Sequence, residues 1–178
     1  MPEAPLQESG SGLAPTGPGW FVLNVGEAMW LTTEGGEKKR SGSECAFETP
    51  MAEFAQLGVR IHVLPPGEPN GCYHAENQQE DFLVLSGECT LLVEGEERTL
   101  RAWDFFHAPA GTEHIFVGAG DGPCAILMAR CARGGLAGAL PGVGVRGALR
   151  RERTNSQAAA VAAGFSSSPN FARFTNWP

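Results

Sequence analysis

An all-β domain is what the sequence predicts, and three observations carry that reading. Short apolar runs recur at regular intervals from Gly58 to Arg130. Turn signals separate them: Pro65 to Gly71, Glu94-Gly95-Glu96, and Ala119 to Gly122. No convincing long helical pattern precedes residue 150. Short strands spaced in this way build a barrel or a sandwich.

The chain has 178 residues, enough for one domain with tails. Residues 1–19, rich in Pro, Gly, Ala and Ser, read as a flexible N-terminal arm. WFVLNV at 20–25 is the first strand candidate, at an edge or against a partner chain. Residues 32–44 form a polar loop, and its Lys-Lys-Arg run reads as solvated. MAEFAQL at 51–57 suits one or two helical turns. VRIHVL at 59–64 alternates, with Val59, Ile61 and Val63 on one face and Arg60 and His62 on the other. That parity gives His62 a structural or surface role.

FLVLS at 82–86 is apolar on both faces, CTLLVE and RTLRA flank the Glu94-Gly95 hairpin turn, and HIFVG and PCAILMAR follow WDFFHAPA. The β domain thus spans 20–131. Beyond it, residues 132–178 read as a Gly-rich linker, a short helix and a polar tail. Thr154, Asn155 or Ser156 caps that helix, Ala158 to Ala163 propagate it, and Gly164 stops it.

Composition narrows the partners. The net charge is −7 and the pI near 5.1. An acidic surface argues against nucleic acid or an anionic membrane as a partner. No apolar run approaches the ~18 residues of a membrane span. The N-terminus has neither the basic nor the apolar region of a secretion signal. Five cysteines without a C-x-x-C pair read as reduced thiols of a cytoplasmic protein, Cys72 as a small core thiol.

The stretch from Gly71 to Gly118 holds the chemistry. His74 and Glu76 are two apart, so on an extended strand they share a face. Glu80 opens the FLVLS run, and His114 follows the turn Pro109-Ala-Gly111. Two imidazoles and a carboxylate on neighbouring strands make a facial set for a divalent metal, with positions left for water or substrate. Neutral imidazoles with carboxylate suit Fe, Mn, Zn, Ni or Co. Glu76 is either a fourth ligand or a general base beside bound water. Without a cation, Glu76 and Glu80 crowd two negative charges, and one pKa should rise.

The same stretch resembles the cupin superfamily. His74-x-Glu76-x3-Glu80-x6-Gly87 fits the first family motif, G-x5-H-x-H-x3,4-E-x6-G, except that Glu76 replaces the second His and the leading Gly is one place off, at Gly67. Pro109-x-Gly111-x2-His114 fits the second, G-x5-P-x-G-x2-H-x3-N. There Gly118 stands for the Asn, leaving room where the family has a side chain, and Trp103 stands before Asp104 at the usual Gly-Asp corner. The resemblance covers residues 57 to 130 and implies a double-stranded β-helix, a jelly-roll barrel. It implies no single reaction, because such barrels host oxygenases, isomerases, decarboxylases, storage proteins and sensors.

Parity adds two expectations. If Glu80 and His114 point inward, so do Phe82, Val84, Ser86 and Phe116, while apolar Leu83, Leu85, Ile115 and Val117 point outward. A homodimer would cover that outward face, with the chain's own tails as the alternative. Phe82, Trp103, Phe105, Phe106 and Phe116 are mostly core. His107 lies next to the site or on the surface. No arginine or lysine stands beside the ligands, so a phosphorylated substrate is not favoured. The expected function is metal-supported oxygenation or isomerisation of a small organic molecule; a non-catalytic binding module and a metal-free structural domain are the alternatives.

Overall fold

Period-two runs become strands where a ladder partner and an apolar face are both present. The computed structural model describes residues 1–33 and 42–131, and eleven strands lie within them. These are β1 (Leu6–Glu8), β2 (Leu13–Pro15), β3 (Trp30–Thr33), β4 (Gly42–Ala46), β5 (Leu57–Leu64), β6 (Glu80–Ser86), β7 (Glu88–Val93), β8 (Glu96–Arg101), β9 (Phe105–Ala108), β10 (His114–Ala119) and β11 (Cys124–Cys131). The expected C-terminal linker and helix at 132–178 fall outside the described residues, as does the Lys-Lys-Arg run. No helix among the described residues is long and apolar enough to cross a membrane.

Two antiparallel sheets carry the fold. The larger runs β3-β4-β5-β11-β6-β9 and the smaller β10-β7-β8. Strand β7 turns into β8 through Glu94 and Gly95, both at positive φ, the two-residue turn whose twist suits a hairpin. Strand β10 pairs with β7, yet its successor β11 pairs with β5 and β6, so the chain crosses from one sheet to the other at residues 120–123. Both sheets keep open edges among the described residues, so the architecture is all-β and cupin-like without a ring closed by ladder bonds.

Between the sheets lies one apolar cluster: Leu64, Phe82, Val84, Cys89, Leu91, Ala108, Phe116, Cys124 and Ile126. Glu80, Phe82 and Val84 alternate inward as parity requires. Register extends the argument to β5 and β11. Ile126 is opposite His62, and Met128 is opposite Arg60, so Arg60, His62 and Leu64 share the inward face. His62 thus faces the cavity rather than the surface, and its bond to Glu44 fits the structural half of the expected role. The apolar face of β5, Ile61 and Val63, points away from the second sheet and packs with Ala28, Cys45 and Ala125, against Leu23, Val25, Trp30, Leu85 and Leu127.

That second cluster reverses three further expectations. Residues 1–19 are not a loose arm: β1 and β2 form a hairpin, Ala4 and Ala14 are buried, and the Leu13 N–H donates to the Glu27 carbonyl. WFVLNV is no strand but an irregular strap that lays Leu23 and Val25 over the larger sheet. The outward apolar face is covered in part by the same chain: Leu85 packs on the cluster that also carries this strap, and Ile115 lies against Tyr73 and Leu92, while Leu83 stays half-buried. MAEFAQL forms turns and a bridge between Thr49 and Ala52 rather than a helix. Its apolar residues find a partner in the Phe21–Phe54 ring stack instead of a helical stripe.

Gly118 shows why one motif position departs. A Cβ built there would lie 2.1 Å from the Pro65 carbonyl oxygen. The glycine therefore does not leave an open space; the incoming backbone of residues 64–65 fills it. Trp103, in place of the usual corner glycine, is held at φ 75 and is 76 % exposed.

Candidate functional site

The inward faces are apolar at one end of the sandwich and polar at the other. Along β6, β10 and β11 the polar end carries Glu80, His114 and Arg130. Residues 67–74 run beside β10 as a ragged extra strand: Pro69 bridges Val117, and His74 exchanges backbone hydrogen bonds with His114 at 2.9 and 3.3 Å. This pairing sets His74 beside His114, with ring centroids 5.5 Å apart.

Both imidazoles are oriented by the backbone. His74 Nδ1 donates to the Cys72 carbonyl at 2.7 Å, and His114 Nδ1 donates to the Thr112 carbonyl at 3.0 Å. A carbonyl only accepts, so the proton is fixed on Nδ1, and in the neutral ring Nε2 carries a bare lone pair. Each Nε2 faces a carboxylate: His74 to Glu76 Oε1 at 3.4 Å, His114 to Glu80 Oε2 at 3.5 Å. His114 packs edge-on to Phe82 and Phe106, with centroids at 5.1 and 5.7 Å.

Electrostatics sharpen the His114–Glu80 pair. Both side chains are nearly fully buried. Burial pushes the His114 pKa down, and burial followed by repulsion from Glu76 pushes the Glu80 pKa up. His74 and Arg130 oppose the rise at Glu80. Both shifts favour the neutral forms, so the contact is not an ordinary ion pair. Glu80 Oε2 has no hydrogen-bond partner. A lone pair facing an unsatisfied buried carboxylate oxygen is a costly arrangement unless a cation or proton comes between them.

The donors come as two pairs, and among the described residues no group of three or more His, Cys, Asp or Glu converges to hold a metal ion. Their chemistry suits a divalent transition metal, with imidazole Nε2 and carboxylate oxygen. Two ligands about 2.1 Å from one ion stand roughly 3.4 Å apart at the tetrahedral angle. Each pair meets that spacing; the two pairs together do not.

The site opens into a cavity of about 440 Å³. Besides the four expected residues it is lined by Glu44, Arg60, His62, Asn70, Met128 and Arg130 among others. The expectation of no arginine beside the donors is thus overturned, because β5 and β11 turn Arg60 and Arg130 inward. Glu44 holds Arg60 at 2.6 Å and His62 at 3.1 Å, and the His62 hydrogen bond, with the Arg60 guanidinium adding to it, keeps its carboxyl below the usual range despite burial. Alternation in VRIHVL did signal that Arg60 and His62 share a face; what it lacked was which face the second sheet covers.

Other residues stand apart. Cys72 lines the cavity and is exposed, so it is no core thiol. His107 is bonded to Asp81 at 2.6 Å on the outer face. Phe105 is exposed rather than core because its β9 parity faces solvent, and Trp103 is exposed in the turn before β9.

Residues 60–130 match the cupin-domain family. That segment is a cupin domain. This cupin is similar in fold to a cupin-2 domain protein from Rhodospirillum rubrum, with TM-score 0.58, 16 % identity, and 83 % of this chain and 95 % of that one covered. It is similar to KdgF from a Halomonas species, with TM-score 0.52, 23 % identity, and 65 % and 96 % covered. The cupin spans half the length of a putative sugar phosphate isomerase from Acidithiobacillus ferrooxidans, with 43 % of this chain covered, TM-score 0.41 and 24 % identity, a likeness too loose to carry chemistry. No curated protein matches the chain.

Proposed function

We propose that this cupin binds a divalent transition metal through His74, Glu80 and His114, and acts there on a small organic molecule held in the cavity. The observation that supports the reading is the buried, unpartnered Glu80 Oε2 facing the bare Nε2 of His114. Members of the superfamily often act on small molecules, and the polar end of the sandwich offers the space for one. A bound metal would supply Lewis acidity for isomerisation, or redox capacity for oxygenation.

The residues divide the remaining work. The Cys72 and Thr112 carbonyls hold the rings so that Nε2 faces the cavity. Phe82 and Phe106 pack against His114 and keep water from its rear. Glu76, half-exposed at the cavity, completes the donor set or takes a proton from a bound substrate carbon or water. Elemental analysis of protein produced with Mn, Fe and Zn tests the reading. About one metal per chain is expected, and His114→Ala and Glu80→Gln should each remove most of it. A second reading, a metal-free binding module, draws on the separation of the donors into two pairs. Protein that stays free of metal in all three media would establish that second reading and overturn the first.

A further inference from the structure

Strand β9 is an outer edge of the larger sheet, and its ladder partner is β6 alone. Its two faces are unequal. Phe106 turns inward and packs on Phe82 and His114, with ring centroids 5.6 and 5.7 Å away. Phe105 turns outward and is 63 % exposed. Its ladder partner Leu83 shares that outward face and is half-buried. The same row continues to Leu127, which packs with the strap. Leu83 and Phe105 belong to no apolar cluster among the described residues. The strap thus stops short of the sheet edge. An apolar step is left uncovered behind the strand that holds Phe106 on His114.

The chain itself supplies an occupant. The described residues carry seventeen Asp and Glu against four Arg. Residues 132–178 carry six Arg against one Glu, together with Phe165, Phe171, Phe174 and Trp177. Two acidic bodies repel each other, which disfavours a second copy laid on this step, whereas the basic segment is drawn back to its own body. The local order of residues is complementary too. Asp104 precedes Phe105, and Asp81 with His107 forms the next outward pair beyond Leu83. In the segment, Arg173 lies between Phe171 and Phe174. The starting point suits the same contact. Arg130, Glu80 and Ala108 form one row across β11, β6 and β9, three residues along from the row of Leu127, Leu83 and Phe105. Residue 132 therefore begins roughly 15 Å from Phe105, a span that about five extended residues cover. Phe171 follows Cys131 by forty residues, so the tether reaches the step and raises the effective concentration there.

We propose that residues 165–177 dock on the Leu83–Phe105 step of their own chain, with Phe171 and Phe174 on the apolar surface and Arg173 toward Asp104 and Asp81. The contact braces β9 from outside and so keeps Phe106 against His114.

Full-length protein with Phe174 replaced by a benzophenone amino acid, irradiated and then digested for mass spectrometry, tests this. Crosslinks should form at monomer mass and fall in the peptides that hold Leu83 or Phe105. Phe105→Ser should lower the yield about fivefold, and Phe105→Leu should keep most of it. Arg173→Glu should also lower the yield, and sodium chloride at about 0.5 M should shrink its difference from wild type. In unlabelled protein, the amides of β9 should exchange with deuterium about fivefold faster when Phe171→Ser and Phe174→Ser are combined. Crosslinks elsewhere, a yield unchanged in Phe105→Ser, or β9 exchange unchanged in the combined variant overturns the inference. Adducts at dimer mass that grow with protein concentration assign the step to a second copy and overturn it as well. Metal content enters none of these readouts.

Discussion

Gly118→Ala should destabilise the fold by an amount the geometry sets. The new methyl carbon would lie 2.1 Å from the Pro65 carbonyl oxygen and 2.9 Å from that of Leu64, where ordinary contact begins at 3.4 Å. Both obstacles are backbone, so a rotamer change cannot relieve them. The strand and the 64–68 segment must separate by more than about 1 Å. That movement breaks the bonds from Gly67 N to Gly118 O, 2.8 Å, and from Gly118 N to Glu68 O, 3.0 Å. Each buried bond lost with its partners left unsatisfied costs roughly 1–2 kcal/mol, so the expected loss is about 2–4 kcal/mol. Against a total stability of roughly 5–15 kcal/mol the variant would still fold. Its Tm should fall by about 5–15 °C. Gly118→Asn, which would restore the residue of the family motif, should be worse than Ala, because a longer side chain meets the same carbonyls. Urea denaturation followed by circular dichroism gives the difference. An alanine variant within about 0.5 kcal/mol of wild type would refute the argument that close approach dictates this glycine.

Four other outcomes are expected. Trp103→Gly should stabilise the protein by roughly 0.5–1 kcal/mol, since it relieves a left-handed backbone while giving up an exposed side chain, and a thermal melt reads it. Phe82→Ala should cost about 3–5 kcal/mol in denaturant, because the ring packs on Phe106, Phe116 and His114 at the centre of the main cluster. Ala28→Asp should cost roughly 3 kcal/mol or more if the strap truly seals the outer face of β5, and a melt unchanged from wild type would mean that it does not. Glu44→Gln should cost up to about 1 kcal/mol at pH 7, after solvent screening of a partly exposed group. The Glu44 pKa is lowered on folding, so its contribution is present above the unfolded carboxylate pKa and fades as pH falls through the lower folded value. Stability curves of the two proteins should therefore converge in acid; a gap that persists there would count against the ion pair.

Much of the scaffold was legible because local signals and tertiary needs agree. The Glu94-Gly95 turn required two positive φ angles, and Gly95 marked it by meeting the second without strain. Inward alternation of Glu80, Phe82 and Val84 followed from period two alone. The motif spacing placed His74 beside His114, although the bond that sets them together is a single isolated bridge that no propensity marks. What failed was knowledge of which side of a strand meets what. In β5 both faces are buried, one under a strap from residues 20–30 and one in the cavity, so the apolar side of VRIHVL looked like the interior. That single inversion hid Arg60 and His62, and with them the β5 wall of the cavity. The hairpin at 6–15 was missed because its ladder is three residues long, and Pro, Gly and Ser dominate its composition.

Strand β11 is the final element described, yet it lies in the middle of the larger sheet, bonded to β5 on one side and β6 on the other. During synthesis β5 and β6 leave the ribosome with bare edges facing each other across a slot, and nothing fills that slot until some sixty residues after β5 have been made. Until then both edges are templates for a strand from another chain. Arg130 arrives at the very end of the insertion, opposite Glu80 and Gly58. A nascent chain stalled before β11 therefore has neither a finished sheet nor the Arg130 that lines the cavity, and the same strand that completes the sheet also completes the cavity wall.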